Sequence, residues 1–104
     1  MKEVTPTELK QMLDNKEDIQ LIDVRELYEY QAAHIQAELI PLNTIPQNLD
    51  KISKNKKVIM ICRSGNRSGN AIRFMEGNGF ENLYNLKGGM LAWKKEIDAS
   101  MNVS

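Results

Sequence analysis

A chain of 104 residues with 41% apolar and 27% charged side chains has the composition of a folded soluble protein and length for one modest core, not two. Its 14 basic and 14 acidic residues cancel, which excludes the strong positive excess of a typical nucleic-acid binder. No apolar run approaches the roughly 18 residues of a membrane span, and a single cysteine excludes an internal disulfide and, with no Cys/His cluster near it, a metal-ligand pattern.

In chain order, Thr5-Pro6-Thr7-Glu8 is a capping-box pattern with proline at the first helical position. Leu9, Met12 and Leu13 follow at helical spacing, predicting a helix to about Asn15. Gln20–Asp23 reads as a short strand, Glu26–Ala33 as a helix and Glu38–Pro41 as a weaker strand. Thr44-Ile45-Pro46 opens a short helix with Leu49 and Ile52 on one face. Lys57–Ile61 is the clearest strand, nearly all apolar, as expected where both faces are buried. The next helix begins near Asn66 or Arg67, carries Ile72, Phe74 and Met75, and stops at Asn78-Gly79. Asn82–Leu86 is a strand, Gly88-Gly89 a turn and Met90–Ile97 a last helix. Strands alternating with helices predict parallel βαβ units, an α/β fold with helices on both sheet faces. Residues 1–104 read as one domain with an ordered core of about 2–98 and a frayed tail from Ala99 to Ser104.

The opening MKEVTPTEL lacks the apolar stretch of an export signal, so a reducing cytoplasm is the expected setting. Charge is unevenly placed. Residues 1–50 hold ten acids against four bases, whereas residues 51–73 hold seven bases and no acid. Most of the lysines in KISKNKK are expected to be simply solvated, yet the acid-free zone includes the cysteine and would not repel an anion. Taken alone, a cysteine ending an apolar strand is most often a small buried side chain. Here Cys62 also stands at the carboxyl end of a predicted parallel strand, where ligands bind in such sheets. A helix N-terminus follows, which stabilises a thiolate or an oxyanion. Gly65 permits a tight turn with backbone amides facing inward, and Arg63 and Arg67 add charge.

The segment Cys62-Arg63-Ser64-Gly65-Asn66-Arg67-Ser68 resembles the active-site loop of the rhodanese-like sulfurtransferases. Leu21-Ile22-Asp23-Val24-Arg25-Glu26, with Glu29-Tyr30 and His34-Ile35 beyond it, resembles their first strand and the turn after it. Asn85-Leu86-Lys87-Gly88-Gly89-Met90, with Trp93, resembles their C-terminal signature. The three motifs stand in the family's order and cover nearly the whole chain. The resemblance implies a five-stranded, mostly parallel sheet flanked by helices, Cys62 as catalytic nucleophile, and Arg63, Ser64, Gly65, Asn66, Arg67 and Ser68 as the substrate-binding loop. It matches Asp23 and Arg25 to positions that support the site structurally; from the residues alone, a surface salt bridge at a strand end reads equally well. His34 and Trp93 are expected to pack, and Gly88-Gly89 to form a turn. The chain departs from the family in reading Gln36-Ala37-Glu38 where proline, glycine and alanine are usual, which bears on that connection and not on the sulfur chemistry.

The activity implied is transfer of sulfane sulfur from a small anionic donor such as thiosulfate to cyanide or a thiol, through a Cys62 persulfide and with no cofactor. A protein acceptor is also implied, with no nucleic acid or membrane partner. The alternative within this resemblance is a persulfide carrier or regulatory binding module with little turnover. A phosphatase, the nearest chemical rival, places five residues between cysteine and arginine, whereas only four separate Cys62 from Arg67. The shorter loop suits one sulfur atom better than a phosphoryl group.

Overall fold

The computed structural model of the chain describes residues 1–103. The elements are β1 (Glu3–Val4), α1 (Pro6–Asp14), β2 (Ile19–Asp23), α2 (Leu27–Ala32), β3 (Glu38–Leu39), two 3-10 turns (Leu42–Gln47 and Leu49–Lys51), β4 (Lys57–Ile61), α3 (Asn66–Glu76), β5 (Leu83–Leu86) and α4 (Gly89–Glu96). Five strands make one sheet in the order β1-β5-β4-β2-β3, and all four pairings are parallel. No helix among the described residues is long and apolar enough to cross a membrane.

Successive side chains of a strand point to opposite faces, and central β4 uses that alternation to feed two cores. Val58, Met60 and Cys62 pack on one side with Ala71, Ile72 and Met75 of α3 and with Ile45. Ile59 and Ile61 pack on the other side with Leu9 of α1 and with Met90 and Trp93 of α4. Cys62, one residue past β4, therefore faces the α3 layer.

Local signals explain most element ends. The Glu8 backbone N–H donates to Thr5 Oγ1, and the Glu8 carboxylate accepts the Thr5 N–H at 2.8 Å, completing the box at the start of α1. Three readings are corrected. The segment opened by Thr44-Ile45-Pro46 is two 3-10 turns instead of one helix, with Pro46 inside the first; proline has no N–H to donate. Helix α3, by contrast, stops at Asn78-Gly79 as expected: Gly79 is left-handed (φ 89°), its N–H donates to the Glu76 carbonyl and the Phe80 N–H to the Met75 carbonyl, both at 3.2 Å. Of the apolar residues that α3 carries, Ile72 and Met75 are buried and Phe74 is 44% exposed. β1, absent from the sequence reading, is a two-residue edge strand paired with β5; two residues show no periodicity. The tail is not wholly frayed, since Met101 and Val103 pack against the α1–α4 core. Ser104, the last residue of that tail, lies outside the described residues.

Asp23 and Arg25 do not form a surface bridge. Both side chains are fully buried, with Arg25 Nε and Nη2 donating to the Asp23 carboxylate at 2.8–3.1 Å. The same guanidinium donates to the Ala33 and Glu29 carbonyls at 2.8 and 3.4 Å. Six-residue α2 is too short to be stable alone, and these bonds fix its end carbonyls to the end of β2. In the altered connection that follows, the Tyr30 hydroxyl donates to the Ala37 carbonyl at 2.7 Å and the His34 ring stacks on Tyr30.

Arg25→Leu leaves the Asp23 carboxylate buried without its partner and should cost about 3–5 kcal/mol of stability. Urea unfolding measures this. A loss below about 1 kcal/mol would be that of an exposed pair and would contradict the clamp.

Candidate active site

At the carboxyl end of β4, Cys62 is almost fully buried, and its loop turns directly into α3. The Gly65 N–H donates to Cys62 Sγ at 3.0 Å. Gly65 is the N-cap of α3 with φ of 105°, a left-handed conformation that costs a side-chain-bearing residue strain. The sulfur thus lies at the end of α3 where unpaired N–H groups concentrate partial positive charge. In the first turn of α3, Ser68 Oγ stands 3.2 Å from the sulfur. Thiolate stabilisation is what such an arrangement can do chemically.

The outer side of the loop is held by α4. The N–H groups of Met90 and Leu91 donate to the carbonyls of Cys62 and Arg63 at 2.9 and 3.0 Å. In a trans peptide the carbonyl and the following N–H point opposite ways, so the amides of Arg63 and Ser64 face away from α4. Contact is close enough that a Cβ at Gly89 (φ 61°) would lie 2.5 Å from both carbonyl oxygens. No side chain fits there.

Arg67, the second residue of α3, makes a two-pronged bond to Glu29 of α2, Nη1 to Oε1 at 2.7 Å and Nη2 to Oε2 at 2.8 Å. Glu29 Oε1 also accepts the Glu26 N–H at 3.0 Å. Chiefly through the Arg67 bonds, and against the opposing effect of burial, the Glu29 carboxyl is held down to about 2 from an ordinary 4.5. The same bonds raise the Arg67 guanidinium above its ordinary value. A continuous set of polar contacts therefore runs from Asp23 through Arg25 and α2 to Glu29 and Arg67.

The residues singled out by the sequence come together here, in two layers. Cys62, Gly65 and Ser68 meet at the sulfur. Arg63, Ser64 and Asn66 are exposed on the loop, and Arg67 is half-buried. Asp23 and Arg25 act at one remove, beneath α2. His34 and Trp93 lie in packing positions, Trp93 in the α1–α4 core. Two participants were not singled out for the site. Glu29 entered only as part of a motif. Asn85 is buried on β5, where its amide donates to the Gly65 carbonyl at 2.9 Å and its Oδ1 accepts the Ser68 hydroxyl at 2.6 Å. Its signal was present: Asn85 shares a strand face with buried Leu83, a polar residue where alternation calls for an apolar one.

A carboxylate with a depressed value stabilises the fold above its unfolded value and loses that contribution as pH falls through the folded one. Glu29 should therefore contribute fully above about pH 4.5 and lose its contribution toward pH 2. Arg67 is one-third exposed, and allowing for solvent screening the contribution is about 2 kcal/mol. The stability gap between wild type and Glu29→Gln, read from urea unfolding, should shrink by that amount across this window. A gap independent of pH would show that the Glu29 charge contributes nothing.

Comparison with known proteins agrees with this fold. The family description "Rhodanese-like domain" matches residues 5–96. YtwF of Bacillus subtilis (strain 168), named a candidate sulfurtransferase, is 38% identical over 97 residues, covering 92% of this chain and 93% of its own. YrkF of the same organism, named a candidate sulfur carrier protein, is 36% identical over 92 residues, 88% of this chain but 50% of its own. The crystal structure of a rhodanese-like domain protein from Staphylococcus aureus superposes with a TM-score of 0.85 at 36% identity, covering 100% of this chain and 99% of that one. With the fold, the cysteine loop and these likenesses together, the chain belongs to the rhodanese-like family of sulfurtransferases and sulfur carriers.

Proposed function

We propose that the protein transfers sulfane sulfur through a persulfide on Cys62, taking it from a small anionic donor such as thiosulfate and passing it to a thiol or, in an assay, to cyanide. The observation that carries this reading is the Gly65 N–H aimed at Cys62 Sγ at the positive end of α3. In the first half-reaction the Cys62 thiolate attacks the outer sulfur of thiosulfate. A bond forms between Sγ and that sulfur, the sulfur–sulfur bond of the donor breaks, and sulfite leaves with the electron pair. In the second, the acceptor attacks the outer sulfur of the persulfide and Cys62 departs as thiolate. One difficult transfer becomes two easier ones, and neither needs a cofactor. The loop amides of residues 63–68 are the donors for the developing anions. A free thiol with no disulfide partner suits the cytoplasm.

The name of YrkF supports a second reading, in which the Cys62 persulfide is delivered to a protein partner with little turnover on free thiols. Steady-state assays with small thiols separate the two.

Cys62→Ser should release no sulfite from thiosulfate. Arg63 is exposed immediately after the sulfur. Arg63→Ala should raise KM for the dianionic donor by about tenfold or more, the worth of a charge-assisted contact, and weaken its salt dependence. An uncharged persulfide donor should be affected little. Arg67→Ala should impair every donor, because it strips Glu29 of its partner and loosens the loop. Residual activity in Cys62→Ser would overturn the mechanism, and equal losses with charged and uncharged donors would remove Arg63 from donor binding.

A further inference from the structure

We propose that Asn85 sets the reactivity of Cys62 by competing with its sulfur for the single hydrogen of the Ser68 hydroxyl, so that Ser68 and Asn85 form a positioning pair. Ser68 has no solvent exposure, and its Oγ lies 3.2 Å from Cys62 Sγ and 2.6 Å from Asn85 Oδ1. A serine hydroxyl has one hydrogen and can also accept. The orientation of the Asn85 amide is set by its other end, which donates to the Gly65 carbonyl at 2.9 Å. Flipping the amide would put two oxygens face to face, so the atom offered to Ser68 is an acceptor only.

Two arrangements follow. With Cys62 protonated, Ser68 gives its hydrogen to Asn85 and accepts the S–H. When the thiol proton leaves to solvent, the charged sulfur keeps the Gly65 N–H and draws the Ser68 hydrogen toward itself. Asn85 is 6% exposed, so water replaces the lost bond at Oδ1 poorly. That opposing demand keeps the thiolate more basic than Gly65 and Ser68 alone would leave it. A more basic thiolate attacks better and departs worse. In a persulfide the charge rests on the outer sulfur, Sγ becomes a weak acceptor, and the hydroxyl returns to Asn85. The hydroxyl thus swings as charge enters and leaves Sγ. This consequence for turnover rests on the sulfur-transfer reading above; the competition itself does not.

The test is the pH profile of Cys62 alkylation by iodoacetamide in wild type, Ser68→Ala, Asn85→Leu and the double variant, with thermal melts confirming that each folds. Ser68→Ala should move the midpoint upward, since the hydroxyl donor is gone. Asn85→Leu should move it downward by about one pH unit; below the midpoint the thiolate fraction rises about tenfold and, because the less basic thiolate attacks more weakly, the rate rises about three- to fourfold. In the Ser68→Ala background the downward shift should vanish. Asn85→Val replaces Asn85→Leu if leucine does not fold, and Ser68→Ala remains decisive by itself. An unchanged midpoint in Ser68→Ala, or the same Asn85 shift in both backgrounds, would overturn the proposal; the latter would mean that Asn85 acts through the Gly65 carbonyl. In the half-reactions, Asn85→Leu should slow persulfide formation above the midpoint and speed its discharge. If wild type forms no persulfide, the sulfur-transfer reading fails while the alkylation contrast still decides this one.

Discussion

The carbonyl oxygens of Cys62 and Arg63 point at the first turn of α4, where the Met90 and Leu91 N–H groups take them at 2.9 and 3.0 Å. Helix α4 needs acceptors for its first N–H groups and the loop needs its carbonyls turned outward, so one pair of bonds answers both demands. Trans peptide geometry then directs the Arg63 and Ser64 amides away from α4. Gly89 is the condition for this contact, because any Cβ would collide with both carbonyls. The sulfur, the loop and two helix ends are thereby organised by a backbone approach that only glycine allows.

The opposite flank is held by charge. Asp23 ends β2, Arg25 bridges it to the last carbonyls of α2, and α2 presents Glu29 to Arg67 at the start of α3. Buried ion pairs are weak evidence of net stability, because desolvation opposes attraction. They do impose geometry, since each bidentate contact has one good orientation. Here the geometry joins strand end, short helix and loop. Arg67 is thus chiefly a positioning residue, whereas Arg63 is exposed on the loop.

Much of the molecule was legible in the sequence, for physical reasons. β4 coincides with its apolar run at Lys57–Ile61, because a strand buried on both faces must be apolar throughout. The capping box opened α1 where expected. The cysteine loop was legible because Gly65 and a helix start stand next to a nucleophile. Less visible were features made by distant residues. β1 exists only through its pairing with β5. The burial of Asp23 and Arg25 depends on α2 closing over them, and local sequence does not show that closure. Glu29 and Asn85 reach their partners across 38 and 17 residues of chain.

In the proposed reaction one atom, the Sγ of Cys62, receives the sulfur. Intact-mass analysis of the reduced protein after incubation with thiosulfate tests that most directly. The predicted result is a gain of one sulfur atom, confined to Cys62, reversed by cyanide and absent in Cys62→Ser. An unchanged wild-type mass under conditions where the thiol is free to react with iodoacetamide would contradict it, as would the same gain in Cys62→Ser.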